Sequence, residues 1–371
     1  MSPIKVVRAE GDALSRGVTI GQELSPEIHR SVDFYHRYLE RRGVSSEQLH
    51  ELLTPYLVAA ESVYPESIAV MKGMSAGAMI PVLELFSINA FEELEPLLES
   101  PEGVLRFLQR KEGYTAPPPK LDADRCSSVS EKTPAGTMLA HNEHWLAGDA
   151  GNIAVVVEIP DDGRVPVASP TVVCCLPAVG LNGYGTAQGI GSLTASDDGV
   201  GVPRVLVSRS SLEARDRDDA VARATIAGRA GGYGHVFAFA DGDVITIETS
   251  GKQDRLLEGP RPHTNHYESD LAQIAPPPSE GSTARLVRLR ELLAQRPPQP
   301  PQDLMEIMRD HDSTPQSICQ HPEPTEGEEA AACLFSMIAE PGTRRMWVAA
   351  GNPCENEYEE IDLSGLTDGT H

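Results

Sequence analysis

The sequence has no run of about 18 apolar residues, so nothing in it reads as a membrane span. Its opening stretch, MSPIKVVRAEGDALSRG, lacks the continuous apolar core of a secretory signal. Together these absences lead to the expectation of a cytoplasmic protein. Positive charge is scarce: 31 Lys and Arg stand against 55 Asp and Glu, a net charge of −24. A field of that sign repels phosphate backbones and anionic lipid, so neither a nucleic-acid nor a membrane partner is expected. A small-molecule substrate stays open, because a pocket need not share the sign of the whole.

The cysteines Cys126, Cys174, Cys175, Cys319, Cys333 and Cys354 form no CxxC pair and no repeated spacing. That argues against a disulfide framework and a zinc ribbon, and leaves free thiols. The glycine stretch GLNGYGTAQGIG, Gly180 to Gly191, lacks G-x-G-x-x-G in register, and no GK[ST] follows it, so it is read as tight turns or close backbone approach. His141-x-x-His144, His263-x-x-His266, Asp310-His311 and Cys319-x-His321 could pool zinc ligands. However, residues three apart on a strand point to opposite faces, and no metal is expected.

What is present fits a globular chain. Its 371 residues, 40% of them hydrophobic, suffice for one large domain or two ordinary ones. From about Pro26 to Arg110 the pattern is helical. Ser45 with Gln48 forms a capping box, and IPVLELFSINAFEELEPLL carries apolar residues at helical spacing. EGYTAPPPKLDAD, Glu112 to Asp124, cannot continue a helix and should run extended and exposed. After Cys126 short β-like runs dominate: Ile153–Ile159, Thr171–Leu176, Gly234–Ala240, Asp243–Thr249 and Thr343–Gly351. Asp241-Gly242 is a hairpin turn, and SLEARDRDDAVARAT and TARLVRLRELLAQR are helical. The order gives an α+β class with largely antiparallel sheets.

A thiolate is a strong nucleophile at neutral pH but needs a base. His141 and His144 lie near Cys126 in sequence, while His263, His266 and His311 lie farther away. Sequence alone cannot bring any of them to the thiol.

The segment Cys126-Ser127-Ser128, a turn at Pro134-Ala135-Gly136, and the cluster His141-Asn142-Glu143-His144-Trp145 carry a resemblance. So do SINAFEEL, AVGLNGYG with Asn182, HTNHY with Asn265, DHDSTPQSICQHP and RRMWVAAGNPC. In this order they resemble the acyl-coenzyme A:isopenicillin N acyltransferase-like family of N-terminal nucleophile hydrolases, over about Gly17 to Tyr358. The resemblance implies an αββα sandwich, two antiparallel sheets between helical layers. It implies a self-cut between Arg125 and Cys126, leaving a mainly helical segment 1–125 and a catalytic segment 126–371. The freed α-amine of Cys126 would be the base, since its pKa of about 7.7–8.0 suits neutral pH.

By the same resemblance Asn182 and Asn265 are oxyanion donors, with Asn265 also able to orient the amine. His144 stands where the family has Asp. His141 and Asn142 orient or bind substrate, and Arg285, in STARLVR, is either a clamp for an acyl or carboxylate group or a helix-face charge. The implied chemistry is amide hydrolysis or acyl transfer through a thioester on Cys126. No cofactor is implied; acyl-CoA or another acyl thioester enters only as co-substrate. A homo-oligomer and an acyl carrier are the protein partners this reading admits. The alternative is an altered member that cyclises or binds a biosynthetic intermediate, suggested by His144 at the Asp position.

Overall fold

In a computed structural model of the chain, the described residues are 3–98, 103, 104, 107, 126–295, 301–312, 314, 316–323, 325–363 and 366. The expected extended stretch Glu112–Asp124 and the residue Arg125 lie outside them.

The chain begins with strand β1 (Val6–Gly11) and helices α1 (Ala13–Glu23) and α2 (Ser25–Arg41), followed by α3 (Ser46–Val63), α4 (Pro65–Ala78), α5 (Val82–Asn89) and α6 (Phe91–Leu98). Neither β1 nor α1 was legible in the apolar pattern. Asp12 starts α1 by accepting the Ser15 amide at 2.7 Å. The Ser45–Gln48 capping box at the start of α3 is present in both directions, at 3.2 and 2.9 Å. Ser45→Ala should lower unfolding free energy by about 1 kcal/mol in denaturant melts, because the first-turn amide loses its partner.

The second part holds β2 (Ser127–Thr133), β3 (Gly136–Leu146), β4 (Ile153–Pro160), β5 (Val167–Val172), β6 (Gly180–Asn182) and β7 (Thr186–Leu193). Helices α7 (Arg204–Ser211) and α8 (Arg217–Ala224) precede β8 (Gly232–Phe239), β9 (Val244–Thr249), β10 (Asp254–Glu258) and β11 (Arg261–His263). Helices α9 (Glu280–Gln295) and α10 (Gln302–Met308) lead to β12 (Ala331–Glu340), β13 (Arg345–Ala350) and β14 (Glu359–Glu360).

These strands form two sheets, β1-β4-β5-β6-β7-β8-β9-β10 and β11-β2-β3-β12-β13-β14. β2 and β3 lie on β7 and β8, so the sheets stack face to face. α1 covers β1 and β4, and α7 and α8 cover β8 and β9. On the other side, α9 and α10 cover β11, β3 and β12. The result is the α+β class and the αββα layering expected from sequence.

Two details differ from expectation. β1 joins the eight-stranded sheet parallel to β4, an exception to antiparallel pairing. The run Thr171–Leu176 is not one strand: β5 ends at Val172 and the chain turns. The Asn89 side chain causes this. Its Nδ2 donates to the Cys174 carbonyl at 2.9 Å, and its Oδ1 accepts the Leu176 amide at 2.9 Å. A side chain from α5 has taken the place of the strand ladder there.

One hydrophobic core draws on both sides of residue 125, from Val7 and Phe34 to Val155 and Phe335. Phe34, Tyr35, Tyr38, Phe91 and Trp145 pack edge to face, locking the N-terminal helices onto the end of β3. Buried Glu158 on β4 pairs with Arg16 of α1 at 3.0 Å and Arg209 of α7 at 3.1 Å. Glycines let the sheets approach closely beside the site. A Cβ on Gly189 would lie 2.8 Å from Ser128 Oγ, and one on Gly234 would lie 2.2 Å from the His263 ring.

Candidate active site

Strand alternation decides which side chains meet. On β3, His141, Glu143 and Trp145 share one face, while Asn142 and His144 share the other. Cys126, at the start of β2, lies on the Glu143 side. Its Sγ donates to Glu143 Oε1 at 3.2 Å. The other oxygen, Glu143 Oε2, is 3.0 Å from His141 Nε2. A carboxylate can only accept, so that nitrogen carries the proton. The opposite ring nitrogen, Nδ1, lies 2.9 Å from Ser128 Oγ. Thiol, carboxylate, imidazole and hydroxyl thus form a continuous chain.

Cys126 is only 3% exposed. Burial pushes its thiol well above its ordinary value, and the Glu143 charge adds to the rise. Its φ of +85° is one that L residues rarely adopt. Such a residue stores about 1–3 kcal/mol of backbone strain. The Cys126 carbonyl accepts from Arg285 Nη1 at 2.5 Å.

Arg285 is 1% exposed, and α9 drives its guanidinium inward. Nη1 also reaches Ser127 Oγ at 3.0 Å, and Nη2 reaches Asn265 Oδ1 at 2.9 Å. That bond fixes the Asn265 amide, whose Nδ2 points to the Ser192 carbonyl at 3.4 Å. A hydrogen-bonded path therefore runs from His141 through Glu143 and Cys126 to Arg285 and Asn265.

The remaining candidates lie elsewhere. Asn142 Nδ2 donates to the carbonyls of Met308 at 2.9 Å and Ile318 at 2.8 Å. His144 Nε2 lies 3.0 Å from the same Ile318 carbonyl. Both side chains face the α9–α10 layer and neither faces the thiol; it is the His144 main chain that comes close to Cys126. Thus the His144 side chain does not face the Cys126 thiol. Asn182 is spent on its own turn and on the segment that follows α7. It donates to Leu212 and Ala214 carbonyls at 2.8 Å each and accepts the Tyr184 and Thr186 amides. Of the imidazoles considered as partners, His263 bonds Glu248 at 3.0 Å and His266 bonds Ser282 at 2.7 Å.

Burial, reinforced by the Arg285 charge, holds His144 well below its ordinary 6.5. The unfolded chain therefore binds the extra proton first as pH falls. This contribution to stability is complete above 6.5 and is lost as acidity increases below it. His144→Leu should flatten the acid limb of a denaturant-midpoint-versus-pH curve, while leaving any reactivity of Cys126 in place.

Glu143 does not stand out in the sequence, because the histidines on either side of it are the more usual partners for a thiol. Period-two alternation would have found it, since residue 143 shares the face of residue 141 on a strand. Also missed were the walls of the cavity onto which Cys126 opens. Ile88, Leu176, Val179, Ile190, Val205 and Phe335 make it apolar, and Glu92, Ser192 and Tyr233 form a polar end. Ser192 and Tyr233 both donate to Glu92. Cys175 also lines the space. The volume open to the centre of a water molecule is about 60 Å³. At about 10–15 Å³ for one water, that is room for a few waters or a small acyl group. Cys126, His141 and Glu143 could also present sulfur, nitrogen and oxygen to one cation, with all three ligand atoms within 4.8 Å.

No protein-family model matches the chain, and no curated protein matches it. Among solved structures it is similar to penicillin V acylase from Agrobacterium tumefaciens, at 11% identity and a TM-score of 0.44, over 66% of this chain and 89% of that one. It is also similar to two single-site variants of conjugated bile acid hydrolase from Clostridium perfringens. Each is 9% identical over 66% of this chain, with TM-scores of 0.48 and 0.45 and 95% and 94% of the other chain covered. Among the described residues no helix is long and apolar enough to cross a membrane.

Proposed function

We propose that this chain is a cysteine-dependent amide hydrolase or acyltransferase that works through a thioester on Cys126. The observation that carries the reading is the Cys126–Glu143–His141–Ser128 chain opening onto a small apolar cavity. A nucleophile in reach of a base, with that base oriented by a third group, is the arrangement acyl transfer needs.

In the uncut chain Glu143 takes the Cys126 proton, and the sulfur adds to the Arg125 carbonyl carbon. The peptide C–N bond then breaks, its nitrogen is protonated, and water hydrolyses the resulting thioester. The strained φ at Cys126 favours this step. Once the Arg125 carbonyl is gone, that torsion no longer exists and its cost is released. The products are segments of 125 and 371 − 125 = 246 residues. They would stay together, because β1 pairs with β4, and Ile88 and Glu92 supply part of the cavity wall.

In turnover the free α-amine of Cys126 serves as the base. The thiolate attacks the carbonyl of a small N-acyl amine or amino-acid conjugate, the acyl chain lies among Ile88, Val179 and Ile190, and the amine leaves protonated. Water or a second amine then takes the acyl group. Asn265 Nδ2 is the donor for the oxyanion, and Arg285 acts as a positioning residue through Asn265 and the Cys126 carbonyl.

The test is a panel of N-acyl amines of rising chain length, followed by amine release. Turnover should peak at short apolar acyl groups and fall once the acyl chain outgrows the cavity. Turnover indifferent to acyl length, or no amine release from any member, would contradict the reading.

A further inference from the structure

On the side of β3 away from the thiol, a second group of reactive side chains converges. Cys319 Sγ lies 3.5 Å from Cys354 Sγ. His321 Nε2 lies 3.1 Å from Cys354 Sγ and 3.9 Å from Cys319 Sγ. The three come from two segments. Cys319 and His321 precede β12, and Cys354 follows β13. Main-chain bonds hold the segments together, from Gly351 to the Leu334 carbonyl at 2.7 Å and from Cys333 to the Gln320 carbonyl at 2.9 Å.

These separations have a natural reference. A tetrahedral zinc ion takes thiolate sulfur at about 2.3 Å and imidazole nitrogen at about 2.0–2.1 Å, which sets S···S near ~3.8 Å and S···N near ~3.6 Å. The observed S···S distance lies close to the first value, and the two S···N distances straddle the second. Two thiolates with one imidazole also form a donor set that suits zinc.

The surroundings match as well. A metal-bound imidazole usually gives its other N–H to a carboxylate, and His321 Nδ1 lies 3.7 Å from Glu355 Oε1. Asn352 Nδ2 donates toward Cys319 Sγ at 3.5 Å, support that a thiolate needs more than a thiol does. Cys319 is buried, whereas His321 and Cys354 are half-buried, which leaves a path for the ion.

We propose that Cys319, His321 and Cys354 bind one zinc ion, with water in the fourth position. Binding releases the two thiol protons, so two thiolates neutralise the dication. The ion would join the loop before β12 to the turn after β13. Cys319 directly follows Ile318, whose carbonyl receives Asn142 and His144, so the metal would fix the outer support of β3. This is a structural role on the opposite face from the proposed nucleophile, and it stands whether or not Cys126 is catalytic.

The test uses the full chain, reduced and stripped with a chelator, then titrated with Co2+. One equivalent should give thiolate-to-cobalt charge-transfer absorption that Zn2+ displaces, in wild type and equally in Cys126→Ala. Cys354→Ser should lose the band while keeping its far-ultraviolet circular dichroism. His321→Asn, at a half-exposed position, should weaken binding at least about tenfold. Added Zn2+ should raise the thermal transition of wild type but not of Cys354→Ser. A reduced chain that yields no thiolate–cobalt band would overturn the proposal. So would a band that survives Cys354→Ser but disappears in Cys126→Ala, since the ion would then sit at Cys126, His141 and Glu143.

Discussion

Replacing Cys126 by alanine should abolish amide turnover by at least about 10⁴-fold and leave the chain whole at 39.9 kDa. Both effects trace to one sulfur. In the wild type it sits 3.2 Å from a carboxylate able to take its proton and lines the cavity where an acyl group fits. A methyl can neither attack the Arg125 carbonyl nor hold an acyl group. The fold should tolerate the change, because the backbone bond to Arg285 uses the Cys126 carbonyl and not its side chain. Circular dichroism and intact mass, read beside amine release, separate loss of chemistry from loss of structure. Cys126→Ser is the informative companion. A hydroxyl is a weaker nucleophile, so slow processing with little turnover is expected.

The second large effect belongs to Glu143. Glu143→Gln should slow the self-cut, and with it the appearance of turnover, by about 10²–10⁴-fold, the usual loss when a positioned proton acceptor is removed. The same substitution should make the thiol easier to ionise. Burial comes first in holding Cys126 up, but the Glu143 charge comes next, and glutamine removes it. The rate of Cys126 alkylation by a neutral reagent should therefore rise at lower pH in the variant, even as catalysis fails. A purely structural role for Glu143 would slow both reactions or neither. Glutamine keeps the shape and can still accept from His141 Nε2, so the His141–Ser128 pair should persist.

Much of the architecture was legible, because it rests on local rules. The Ser45 capping box, the Asp241-Gly242 hairpin and the short β-like runs that became β4, β8, β9 and β13 each obey chemistry visible within a few residues. Failures came where distant groups decide local structure. β5 stops at Val172 because Asn89, on another element, takes up the backbone of the following turn. β1 pairs in parallel with β4, which follows α1 to α6 in the chain, so nothing near β1 in sequence marks its partner.

The site divides along the same line. Cys126, His141, Asn265 and Arg285, all named from sequence, are joined by hydrogen bonds, with Glu143 as a link. Asn142 and His144, which flank the useful Glu143, face the opposite side because a strand turns alternate side chains away. Asn182 is read from sequence as an oxyanion donor, but its Nδ2 is taken by the Leu212 and Ala214 carbonyls just beyond α7. The cavity wall was invisible in advance, since Ile88, Val205 and Phe335 share no sequence neighbourhood.

Two thiols line that cavity, Cys126 and Cys175, which makes the most direct measurement a site-resolved one. The purified full chain would be treated with a short-chain acyl electrophile, digested and mapped by mass. The expected result is a single acyl adduct on Cys126, at the first residue of the 246-residue segment, with Cys175 unmodified. An adduct confined to Cys175, or an intact chain with no acyl group on Cys126, would contradict the central claim.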